Sequence, residues 1–118
     1  MALSGPAGLI VPRLKAGIFV RALIRRAEVA GASAYVVKKG SEEAGAVFLK
    51  VARLDGTSDV LMQARRGEGD LVWMKALSDA SEEAARVYFD KQKKFDPDIW
   101  IVEIEDREGR AFVDEPIV

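Results

Sequence analysis

The sequence predicts an α+β domain: an antiparallel sheet, built from a four-strand meander plus a C-terminal strand, with two helices packed on one face. Three observations carry this expectation. A wide apolar arc at helical spacing comes first, four consecutive segments with a period of two follow, and a charged helix leads into one more alternating strand. At 118 residues the chain has room for one core, so residues 13–118 are read as a single domain. Residues 1–12, with Gly5, Pro6 and Gly8, are read as a flexible leader.

The first helix is expected from Gly17 to Ala30. Phe19, Leu23, Ala27 and Ala30 share one face, flanked by Val20 and Ile24, while Arg21, Arg25 and Glu28 form a narrow opposite strip. An arc so wide belongs to a helix lying across a sheet. Gly31 is placed to cap its C-terminus. Arg26 projects from within the apolar arc and needs either to snorkel or to find an acidic partner.

The period then changes to two. Ala34 to Lys39 reads as a strand closed by Gly40, and Gly45 to Val51 is apolar enough for a central strand. Asp55-Gly56 marks a hairpin into Asp59–Ala64. The glycines of Arg65-Arg66-Gly67-Glu68-Gly69-Asp70 turn the chain into Leu71–Lys75; no phosphate-loop pattern is present, so a plain hairpin is preferred.

Asp79 and Glu82 form a capping-box-like pair for a second helix running to Phe95, with Ala84, Val87, Tyr88 and Phe95 on its apolar stripe and Phe89 pointing away. Pro97 ends it. In Ile99–Glu105 the alternation puts Trp100, Val102 and Ile104 inward and Glu103 and Glu105 outward.

The segments Arg13-Leu14-Lys15-Ala16, Gly45–Val51, Arg53-Leu54-Asp55-Gly56 and especially Phe95-Asp96-Pro97-Asp98, followed by the alternating acidic strand to Asp106, resemble those of a family of short uncharacterised bacterial proteins, a domain of unknown function. The resemblance runs from Arg13 onward. That family has no established activity, so the resemblance implies no catalytic role for any residue.

Composition excludes more chemistry than it suggests. The chain has no Cys, no His and no Asn, so there is no disulfide, no thiolate or imidazole for zinc, no Cys nucleophile and no His base. No catalytic residue, metal ligand or cofactor is expected. The longest apolar run of the leader, Leu9-Ile10-Val11, is too short for a signal-peptide core, and no stretch approaches a membrane span; a cytoplasmic protein without membrane contact is expected. The net charge of −1 divides into +4 over residues 1–59 and −5 over residues 60–118.

Three constellations stand out. Lys15, Arg21, Arg25 and Arg26 offer donors for phosphates, but a near-neutral domain lacks the basic footprint of a nucleic-acid binder, so a solvated helix face is preferred. Tyr35 and Phe48 invite comparison with base-stacking sheets, although Phe48 sits in the most apolar strand. Glu103 and Glu105, with Asp106 and Glu108, offer hard oxygen ligands without any closed ligand spacing; they are expected to pair with Arg26 or with the basic helix of a second copy. Phe89, Glu103 and Glu105 are therefore candidate partner contacts. The function expected is a non-enzymatic protein-interaction module that binds an unidentified protein partner or itself as a homodimer, through the outer face of the second helix or a sheet edge. The alternatives are nucleic-acid association through the first helix and, last, a carboxylate-based metal enzyme.

Overall fold

A computed structural model describes residues 14–67 and 69–118. The leader expected over residues 1–12 lies outside the described residues. Along the chain run α1 (Ala16–Val29), β1 (Ser33–Lys38), β2 (Val47–Ala52), β3 (Thr57–Arg66), β4 (Asp70–Ser81), α2 (Glu82–Phe95) and β5 (Trp100–Glu105).

The five strands form one sheet in the order β1-β5-β2-β3-β4. The expected four-strand meander is corrected on this point: β5 inserts between β1 and β2, antiparallel to the first and parallel to the second, so the sheet is mixed. The reason lies in β5 itself. Ile101, with Ile99 just before the strand, is buried towards α2, while Trp100, Val102 and Ile104 are buried towards α1, and a strand covered on both faces belongs inside the sheet and not at its edge. β1, with Tyr35, Val36 and Val37 exposed, takes the edge instead.

The helices lie on opposite faces, which corrects the expectation of one covered face. Val47, Leu49 and Val51 of β2 pack with Val20, Leu23 and Ala27 of α1, whereas the intervening Phe48 packs with Ala85 and Phe89 of α2. β2 is the middle strand, as its composition predicted.

α1 starts without a side-chain cap; the carbonyls of Glu43 and Glu42 accept its first amides, Ala16 N at 3.3 Å and Gly17 N at 2.9 Å. It ends as expected at Gly31, whose φ of +92° lets Ala32 N reach Ala27 O at 2.9 Å and Gly31 N reach Glu28 O at 3.0 Å. α2 is capped by Ser81, whose Oγ accepts from Ala84 N at 3.1 Å, and not by Asp79, which lies within β4.

The buried stripe of α2 is also corrected. Ala85 and Phe89 are buried, while Val87 and Phe95 are 52% and 75% exposed. Phe48 decides the matter. It offers an aromatic edge to Phe89 and Tyr88, both at 6.2 Å between ring centres, which the Val87 side of the helix cannot match.

The Phe95-Asp96-Pro97-Asp98 block locks β5 into the sheet. Asp96 accepts from Asp98 N at 2.9 Å, and the Asp98 carbonyl accepts from Ser41 N at 2.9 Å. A Cβ at Gly40 or Gly45 would run into that carbonyl, so the 40–46 loop can close over β5 only with glycine at both positions. The indole of Trp100 then donates to Ser41 O at 2.7 Å.

The last residues do not trail away. Trp73 N donates to Pro116 O and Val118 N to Trp73 O, both at 2.8 Å, so the chain covers the outer edge of β4 around Trp73. The two sheet edges thus differ: the β4 edge is partly covered, and no strand lies outside β1 among the described residues.

Candidate functional site

The edge strand β1 and the polar network beside it form the candidate site. Register places Ser33 opposite Glu105 and Tyr35 opposite Glu103, with Lys50 of β2 opposite Glu103 on the other side. Tyr35 alternates with the buried Ala34, so it rises on the face that α2 covers only farther along the sheet. Between Val36 and Lys38 the register shifts, leaving Val37 as a bulge. Lys38 turns back, and its Nζ donates to Pro97 O at 2.6 Å and to Ile99 O at 3.1 Å. A bulge and a lysine blunt one end of the edge and leave Ser33 to Val36 open.

The acids beside β1 are held by internal partners. Tyr35 Oη donates to Glu105 Oε2 at 3.2 Å, and partial burial together with the nearby Glu103 and Glu105 pushes the phenol up to about 12. The Lys50 side chain is only 12% exposed and lies 2.8 Å from Glu82 and 3.5 Å from Glu103. Burial alone would lower its pKa; Glu82 and Glu103 outweigh burial and raise it. Asp106 and Glu108 face away from this pair towards Arg110, at 2.9 and 3.9 Å.

Each expected residue has a definite place. Phe89 is core, so the exposure that made it a candidate contact is absent. Glu103 and Glu105 sit side by side on β5 as expected, but they serve Lys50 and Tyr35. Neither pairs with Arg26, whose Nε and NH2 donate to Phe112 O at 3.1 and 2.8 Å. The basic set is not a free patch: Lys15 pairs with Glu43 and Arg21 with Glu42, both at 3.4 Å. Of the four, Arg25 alone has no hydrogen-bond or ion-pair partner among the described residues. No group of three or more acidic residues is arranged to hold a metal ion among the described residues.

A cleft of about 730 Å³ lies where α1 begins, lined by Phe19, Val47, Gln63 and Leu71. Its ionic groups are engaged, Lys15 by Glu43 and Glu115 by the Trp73 indole, so it offers no free acid or base pair. Sequence reasoning missed the edge role of β1, although Lys38-Lys39 at the end of a short strand is the usual mark of a protected edge. No helix among the described residues is long and apolar enough to cross a membrane.

Comparison with known proteins matches this geometry to a family. A family model described as a protein of unknown function (DUF1491) matches residues 14–114. A crystal structure of a DUF1491 family protein from Caulobacter crescentus CB15 is 46% identical, covers 90% of this chain and 100% of its own, and superposes with a TM-score of 0.84. An NMR structure of a DUF1491 family protein from the same organism is 45% identical over 92% of this chain and 99% of that one, with a TM-score of 0.81. The solution structure of protein Atu0922 from A. tumefaciens is 32% identical over 88% and 95%, with a TM-score of 0.76. No curated protein matches. The chain belongs to the DUF1491 family of proteins of unknown function.

Proposed function

We propose that the chain is a protein-interaction module that self-associates by antiparallel pairing of β1 with β1 of a second copy. The observation that carries this reading is the open edge itself: Tyr35, Val36 and Val37 are exposed in a row on a strand with a neighbour on one side only. Two-fold dimers are the commonest closed assemblies of like chains, and antiparallel pairing of one edge with itself has that symmetry. Charge supports the second copy over an unrelated strand. Ser33 lies beside Glu105, and the exposed Lys39 lies past the other end of β1, so antiparallel pairing brings the lysine of each copy towards the acid of the other. The bulge at Val37 limits pairing to a few residues, which favours weak, reversible association.

Amide resonances followed over a concentration series test this reading. Shifts centred on Ser33 to Val36 that grow with concentration support it; shifts confined to α2 or spread over the surface overturn it. The structure favours nucleic-acid association less, because three of its four cations already have partners within the chain.

A further inference from the structure

A second surface stands apart from the β1 edge. A groove of about 610 Å³ runs between the outer side of α1 and the segment Phe112–Asp114. Its walls are mostly apolar: Ala22, Val29 and Ala30 on the helix, Phe112 and Val113 on the segment. Val29 is 78% exposed there, the highest exposure of any large apolar side chain among the described residues. The opposite wall is held in an unusual backbone conformation. Phe112 has φ of +60°, a region that disfavours a bulky residue, and it is fixed by the two bonds from Arg26 to its carbonyl and by Arg110 stacked over its ring at 5.0 Å.

Arg26 is consumed in building this wall. Arg25 is not: it is exposed on the groove and has no partner among the described residues. Asp114 is the single acid on the lining, so the site carries a small positive surplus. One free guanidinium fork beside apolar walls matches a planar monoanion better than a phosphate dianion, which Asp114 would repel more strongly. The volume falls within the usual ~300–1,000 Å³ range of small-molecule sites.

We infer that this groove binds a small carboxylate carried on an unbranched apolar chain, with the carboxylate on Arg25 and the chain along Val29, Phe112 and Val113. Octanoate is the probe, added to the full chain below its micellar concentration, with octanol and octylamine as matched neutral and cationic controls. Octanoate is expected to shift the amides of Ala22 to Ala30 and Phe112 to Asp114, and octanol to bind about fivefold more weakly, the scale of one exposed ion pair. In Arg25→Gln that preference for octanoate disappears while the remaining amides keep their positions. In Arg25→Glu it reverses in favour of octylamine. No shift with octanoate, shifts located elsewhere, or equal binding of octanoate and octanol to the wild-type chain overturns the inference. The β1 edge is not part of this groove, so its self-association is unaffected by either result.

Discussion

Arg53 lays two guanidinium nitrogens on the carboxylate of Asp59, at 3.1 and 2.6 Å, and one of them also reaches Asp79 at 3.0 Å. Asp59 is buried in β3, and its Oδ1 accepts the backbone N–H of Asp79 at 2.9 Å. The positive φ of Asp79, +49°, is thus held from both sides by one ion pair at the base of the β3–β4 hairpin.

Removing that acid leaves a donor fork and a part-buried amide without their acceptor. Asp59→Ala is expected to cost about 2–3 kcal/mol, less than for a wholly buried pair because Arg53 stays partly hydrated. Urea unfolding at neutral pH measures it. A loss comparable to that of an exposed surface acid would show that the pair does not hold the hairpin.

Acid should weaken the fold through the same kind of contact. The Arg110 guanidinium holds Asp106 down from its ordinary 3.8 to about 2, against the opposing effect of burial. A carboxylate lowered in the folded state contributes stability that is present above its ordinary pKa and is lost as pH falls through the folded value. Stability should therefore fall between about pH 4 and pH 2, and Asp106→Asn should flatten that fall. Melting temperatures at stepped pH read the difference.

Phe89 and Phe95 lie on one helix and should behave oppositely. Phe89→Ala empties a site among Phe48, Tyr88 and Ile101 and is expected to cost about 3–4 kcal/mol. Phe95→Ala, at a largely exposed position, should change stability by no more than about 0.5 kcal/mol. Denaturation midpoints of the two variants compare them directly.

The α2 face illustrates what the sequence could and could not disclose. α1 was legible because its apolar arc is wide and Gly31 ends it; β2 was legible because five of its six residues are apolar, and β5 because Val102 to Glu105 alternates after an apolar start. Each is a local signal. On α2 two arcs, Ala84-Val87-Tyr88 and Ala85-Tyr88-Phe89, are both apolar, and only the position of Phe48 across the sheet chooses between them. The insertion of β5 beside β2 is a pairing between residues some fifty positions apart, which no local period encodes. The candidate site shared this fate. Glu103 and Glu105 were visible as a pair, but Lys50 is brought to them by that pairing and Tyr35 by the equally non-local pairing of β1 with β5.

Tyr35 reports on this arrangement from the alkaline side. Its phenol should ionise near pH 12 in an ultraviolet titration, above the ordinary value of 10. A group raised in this way stabilises the fold below its ordinary pKa, and the contribution is lost as pH rises through the folded value. Glu105→Gln removes one of the charges that oppose ionisation and should bring the midpoint down. An unmoved midpoint in Glu105→Gln would mean that the hydrogen bond at 3.2 Å does not persist in solution.

Sedimentation equilibrium over a wide concentration range tests the open β1 edge most directly. The wild-type chain should rise in average mass from that of one 12.9 kDa chain towards that of two. Val36→Lys, which places a charge on the edge strand at a side chain that is 40% exposed, should stay at the mass of one chain throughout. A wild-type chain that remains monomeric at every concentration, or a Val36→Lys chain that dimerises equally well, contradicts self-association through β1.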